Sequence, residues 1–212
     1  MASHFLQGYI VPTNLLFAGD IHLGRRPQRL VHAELDPSRF APTEAWARLV
    51  DVAIERRVDA VVLAGDVVDD ERDRFEAYGH LERGIRRLMG EGIATVGVAG
   101  NHDGIALPRL ADRLADFTLL GRGGTWQRVA LESGKIPVDL LGWSFSERHH
   151  RESPLLSPGL TPALDGRRSD ATLLGVLHCD LGATGGGYAP ISHSELERLD
   201  VDGWFLGHIH RP

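Results

Sequence analysis

DAVVLAGD, residues 59–66, sets five apolar residues between Asp59 and a Gly65-Asp66 pair. A run that is apolar at every position is buried on both faces, the condition of an inner strand in a parallel sheet. Similar runs recur in NLLFAGD (14–20), IATVGVAGNHD (93–103), ATLLGVLHCD (171–180) and GWFLGHIH (203–210), each ending in glycine or a polar cluster. Helical patterns separate the first three. PTEAWARLVDVAIERR (42–57) places Ala45, Leu49, Val52 and Ala53 on one face with Thr43 as N-cap, and RFEAYGHLERGIRRLM (74–89) follows the second strand. Strand, crossover helix and strand make the right-handed βαβ unit, so the spacing predicts an α/β fold around a mainly parallel sheet. TWQRVALESGKIPVDLLGWS (125–144) predicts a hairpin about a Ser-Gly-Lys turn. ERHHRESPLLSPGLTPALDGRRSD (147–170), rich in Pro, Ser, Gly and charge, predicts a surface loop with a helical turn.

The 212 residues are 42% hydrophobic, enough for one substantial core and one domain. No apolar run approaches the roughly 20 residues of a membrane helix, so no membrane association is expected. A single cysteine, Cys179, forbids an intrachain disulfide and fits a reducing, cytoplasmic setting. Beside His178 it should point to the opposite strand face and serve packing. The net charge of −6 argues against a strongly basic nucleic-acid binder, although bound cations would absorb acidic groups.

The polar residues fall at the strand ends. The first strand runs into Asp20 and His22, the second into Asp66 and Asp69, and the third into Asn101, His102 and Asp103; later strands run into His178 and into His208 and His210. In an open α/β sheet, ligands bind beyond the carboxyl ends of the strands. Singly, each residue has an ordinary explanation as a turn former, a cap or a solvent-facing histidine. Jointly they deliver carboxylates, an amide and imidazoles to one rim. That mixture suits Mn, Fe or Zn, and a bridging carboxylate can hold two such ions about 3.5–4 Å apart. Such a pair clamps a phosphoryl group and makes a bridging hydroxide nucleophilic near neutral pH. A histidine near the metals but not bound to them would then protonate the departing oxygen, oriented by a carboxylate.

GDIHLG (19–24), GDVVD (65–69), GNHD (100–103), LHCD (177–180) and GHIH (207–210) together resemble the signature blocks of the calcineurin-like metallophosphoesterases, in order across nearly the whole chain. DIHLG, VDAVVLAGDVVD and DGWFLGHIH look most like the SbcD-type DNA repair exonucleases, and LGATGGGYAP (181–190) resembles the glycine-rich stretch of some exonuclease-like members. The resemblance implies layered mixed β-sheets flanked by helices, with a dimetal site at strand C-terminal ends. It implies that Asp20, His22 and His210 hold one metal, that Asn101, His178 and His208 hold the other, and that Asp66 bridges them. His102 would assist the leaving group and Asp103 would orient it. Two divalent ions are implied, Mn2+ first and Fe2+ or Zn2+ as alternatives. The implied substrate is DNA, cut by an exonuclease or endonuclease of the double-strand-break repair type.

On this basis residues 1–13 are expected to be an N-terminal extension and 14–212 the metallophosphoesterase domain. That domain is expected to lack the C-terminal strands, the DNA-capping region and the segment that docks on an SMC-like ATPase. A homodimer is a further implied partner. Arg25 and Arg26, directly after the first block, are candidates for DNA phosphate contacts, although two solvated arginines explain them as well. The same holds for Arg56-Arg57 and Arg86-Arg87 at helix ends. RHHR (148–151) is a basic loop tip that could approach substrate. Two rivals remain: the same centre acting on a small phosphodiester or phosphomonoester, and a nuclease-like scaffold without turnover. A barrel-type amidohydrolase also uses His-x-His, but on its first strand, whereas here the pair is on the last.

Overall fold

A computed structural model describes residues 12–25, 41–132, 136–182 and 187–209. Its order is β1 (Leu15–Ala18), α1 (Pro42–Arg56), β2 (Ala60–Ala64), α2 (Arg74–Gly90), β3 (Ala94–Val98), α3 (Ala106–Ala111), β4 (Phe117–Leu119), β5 (Trp126–Ala130), β6 (Val138–Trp143), α4 (Leu160–Asp165), β7 (Thr172–His178), α5 (His193–Leu196) and β8 (Gly203–Gly207). The strands form two four-stranded sheets, β1-β2-β3-β4 and β5-β6-β7-β8. The first is wholly parallel; in the second, β5 runs antiparallel to β6, and β6, β7 and β8 are parallel. The hairpin predicted at 125–144 is β5-β6, although its Ser-Gly-Lys turn lies outside the described residues.

The alternation of side chains explains the layering. On β2, Val61 and Leu63 pack with Val50 of α1, Leu81 and Ile85 of α2 and Leu107 of α3. Val62 and Ala64 face the other way and meet Val96, Val98, Val138, Leu140 and Val176, which form the layer between the sheets. Leu141 and Trp143 of β6 and Leu173 and Leu177 of β7 then pack outward against Leu160 of α4 and Leu196 of α5. This is a mixed α/β fold with two stacked sheets and helices outside. Strands buried on both faces are the reason their sequences read as unbroken apolar runs, and each fully buried Val or Leu contributes about 1.5–3 kcal/mol. Cys179 is buried in the outer cluster of the second sheet, as expected of a packing residue.

Two local expectations are corrected. α1 starts at Pro42 with Ala41 as N-cap and no side-chain cap, so Thr43 lies inside the helix. Proline suits this first position, because its missing N–H has no intrahelical partner there. Its buried face is Trp46, Val50 and Ala53, with Ala45 and Val52 exposed. The large indole decides the orientation: its Nε1–H donates to the His80 carbonyl, and its ring fills the space that Gly84 leaves on α2.

Beneath the strand ends, Ser144 joins the two sheets. Fully buried, it accepts from the Ala99 N–H at 2.8 Å and donates to the Leu120 carbonyl. Ser144→Ala strands a buried N–H just before Gly100 and should destabilise the fold by about 1–3 kcal/mol. Urea denaturation measures this; a change under about 0.5 kcal/mol, the usual range for a neutral surface substitution, would show that the bond contributes nothing.

Candidate metal centre

The chain turns abruptly at the carboxyl ends of β1, β2, β3, β7 and β8. Asp20 (φ 56°), His22 (φ 53°), Asp66 (φ 49°) and His208 (φ 105°) all have positive φ without being glycine. Each such residue costs about 1–3 kcal/mol, and clusters of them persist where a site requires them. The surrounding hydrogen bonds hold them in place. The loop after β1 zips onto the loop after β2 through Asp20 N–H to the Gly65 carbonyl (3.0 Å), His22 N–H to the Asp66 carbonyl (2.9 Å) and Leu23 N–H to the Val67 carbonyl (2.8 Å). The Asp20 carboxylate accepts the His208 N–H at 3.1–3.2 Å, tying the end of β8 to β1. Gly100 and Gly207 allow this crowding, since a Cβ on them would overlap Asp66 Oδ1 and the Ala64 carbonyl respectively.

Three donor clusters result: Asp20, His22 and Asp66 on one side and Asp66, His178 and His208 on the other share Asp66, while His22, Asp69 and His102 form a third beside the first. Asp66 Oδ2 lies 3.7 Å from His22 Nε2 and 3.3 Å from His178 Nε2. Asn101 Oδ1 is 3.0 Å, and His208 Nδ1 3.2 Å, from that same His178 nitrogen. Hydrogen positions follow from the outer partners. His178 Nδ1 is 3.0 Å from the Ala64 carbonyl, which can only accept, so Nδ1 carries the proton and neutral His178 aims a bare Nε2 inward. That lone pair faces an amide oxygen, a carboxylate oxygen and a second imidazole nitrogen. Donors around one ion at about 2.0–2.2 Å stand about 3.0–3.4 Å apart, which is the spacing found. The residues therefore fit a divalent cation, and the mixed O/N set suits Mn, Fe or Zn.

The electrostatics favour the ligand-competent forms of Asp66, His22 and His208, whereas Asp66 draws metal-free His178 toward its charged form, from which a cation would displace the proton. Burial pushes Asp66 upward, but the hydrogen bond and charge of His178 outweigh it and hold the carboxyl below its usual range. Burial pushes His178 down, yet Asp66 reverses this and raises it. His22 and His208 are both lowered, mainly by burial, which favours their neutral, ligand-competent forms.

His102 and Asp103 divide their tasks differently from expectation. His102 Nδ1 is 2.7 Å from the Asp69 carbonyl, and its ring lies 4.9 Å edge-on to His22. Asp103 does not orient this ring. Fully buried, it turns away and accepts from Gly100 N–H on one oxygen and from Val67 and Val68 N–H on the other. It braces the loops after β2 and β3 against each other, and burial beside Asp66 pushes it up to about 7. The orienting residue is Asp69, whose carboxylate also lies 2.9 Å from His22 Nδ1 and 3.8 Å from His102 Nδ1. Asp69 stood in view at the end of the second strand without a role; its spacing of three from Asp66 across one turn was the available signal.

Arg25 is exposed next to the first cluster, whereas Arg26 and His210 lie outside the described residues. Two other arginine pairs have structural partners: Arg86 with Glu82, Arg87 with Asp51, Arg167 with Asp200 and Asp202, and Arg168 with Asp139. The 148–151 tip does reach the rim. Arg148 stands 3.6 Å from Asp70, and His149 stacks on Tyr188, whose ring lies 5.3 Å from His208.

A family model for calcineurin-like phosphoesterases matches residues 13–212. The chain is 27% identical to the uncharacterized metallophosphoesterase YhaO of Bacillus subtilis, over 94% of this chain and 49% of that protein. It is also 27% identical to the DNA double-strand break repair protein Mre11 of Aeropyrum pernix, over 93% and 49% respectively. It thus spans about half the length of these relatives. Among solved structures, TT1561 of Thermus thermophilus aligns over 92% of this chain and 81% of its own, with a TM-score of 0.51 and 12% identity, a likeness of fold. No helix among the described residues is long and apolar enough to cross a membrane. Match, fold and donor set agree: the chain belongs to the calcineurin-like phosphoesterase family, whose chemistry is metal-dependent phosphoester hydrolysis.

Proposed function

We propose that residues 14–212 form a two-metal DNA phosphodiesterase domain of the double-strand-break repair type, with manganese as its working cation. The observation that carries this reading is the joining of two donor clusters through one carboxylate, Asp66, in a chain similar along most of its length to an Mre11 protein. Asp20, His22 and His210 would hold one cation, Asn101, His178 and His208 the other, and Asp66 both. Cations there would polarise the phosphoryl group and lower the pKa of a water so that it attacks near neutral pH.

The protein's own groups supply the rest. The Asp69 carbonyl fixes the Nδ1 proton of His102, leaving Nε2 to carry a proton to the departing oxygen. The Asp69 carboxylate also lies 3.8 Å from Nδ1. Arg25, exposed beside His22, and Arg26 would contact backbone phosphates and set strand register without reading sequence.

The test is manganese-dependent cleavage of end-labelled linear duplex DNA beside a small chromogenic phosphodiester. Cleavage of both, abolished by chelation, is expected. Turnover of the small diester alone would keep the metal centre and remove DNA as substrate. In the same assay Arg25→Ala should weaken DNA binding evenly across sequences and lower the salt slope by about one unit. An unchanged slope would place Arg25 off the DNA path.

A further inference from the structure

We propose that Asp180 is a positioning residue for the metal centre: it holds the proton of His208 on Nε2, so that Nδ1 presents its lone pair to the cation. The proposal rests on the two-metal reading above.

His208 Nε2 lies 3.0 Å from Asp180 Oδ1, and on the other side of the ring Nδ1 lies 3.2 Å from His178 Nε2. An ionised carboxylate only accepts, so a neutral imidazole bonded to it through Nε2 carries its proton there. The nitrogen facing His178 is then bare, and the Ala64 carbonyl holds a proton on the Nδ1 of His178, which leaves its Nε2 as the atom to turn to a cation. Each imidazole of this cluster is thus keyed by a separate outer acceptor, a carbonyl for one and a carboxylate for the other. Outer partners of this kind fix ligand tautomer and ring orientation.

Asp180 is itself held in place. Its Oδ2 accepts the Tyr188 N–H at 2.8 Å, its N–H donates to the Tyr188 carbonyl at 2.9 Å, and its carbonyl accepts the Ile191 N–H at 3.0 Å. A Cβ on Gly187 would overlap Oδ2, so glycine there gives the carboxylate its space. The two oxygens therefore divide the work: one fastens the 187–191 segment, the other reaches His208.

Asp180→Asn separates positioning from loop fastening. Its amide oxygen can keep the Tyr188 N–H bond, and its NH2 then faces His208 Nε2 and demands the other tautomer, with the proton on Nδ1. Manganese titration followed by calorimetry should show two sites in the wild type. In Asp180→Asn the site that includes His208 should weaken by about 10–100-fold, with the fold and the other site retained. In the metal-free wild type, 15N shifts should place the His208 proton on Nε2, a readout that needs no variant and that loop fastening alone would not set. Unchanged affinity at both sites in Asp180→Asn, or a wild-type proton on Nδ1, overturns the proposal while leaving the metal centre intact. A wild type that takes up fewer than two ions overturns both.

Discussion

His102→Ala is expected to lower turnover by about 10²–10⁴-fold while both cations stay bound. One ring nitrogen is committed to the Asp69 carbonyl, so on the proposed reading the other would serve as proton donor and removal of the ring would cost no metal ligand. The His102 N–H also donates to Asp66 Oδ1 at 2.9 Å, but this is a backbone bond that alanine keeps. The defect should depend on the leaving group. A nucleoside alkoxide needs a proton as it departs, whereas a nitrophenolate leaves as a stable anion, so the loss should be larger on DNA than on a chromogenic diester. Turnover on both substrates, with metal content measured by mass spectrometry, decides the matter. Loss of an ion from the variant would make His102 a ligand, and equal defects on both substrates would remove the proton-donor role.

Asp66→Ala should be the more severe substitution, costing both sites their cations and leaving no measurable turnover. Asp66 is buried, and one of its oxygens lies between His22 and His178. Outer-shell changes typically cost about 10–100-fold in metal affinity, and removal of a shared inner ligand should exceed that at both sites. The effect should reach the histidines as well. Asp66 is what raises His178 against its burial, so in the metal-free variant His178 should titrate lower than in the wild type. A variant that retains one ion at wild-type affinity would show that Asp66 belongs to a single site.

The strand-end residues were legible because β2, β3 and β7 are covered on both faces, which makes each strand an apolar run and each terminus an abrupt change of composition. The stacking of the two sheets was less legible from the residues alone, since an inner strand of one sheet and of two stacked sheets carry the same pattern. β4, three residues long, is too short to show any period. The buried face of α1 was legible in part: Leu49 and Ala53 do pack on the core, but Ala45 and Val52 are exposed because Trp46, whose size settles the packing, turns the helix. Asp103 adjoins His102 in sequence and was expected beside its ring. The turn over 101–105 sends the carboxylate to Val67 and Val68 instead, and the partner of His102 comes from Asp69 after β2, a pairing that the spacing of Asp69 from Asp66 does not reveal. Asp180 escaped for a similar reason, as its link to His208 exists only once β7 and β8 are paired.

The most direct test of the shared-carboxylate centre is anomalous diffraction from crystals grown with manganese. Two peaks about 3.5–4 Å apart are expected, with Asp66 contacting both. A single peak, or two peaks without Asp66 between them, would contradict it.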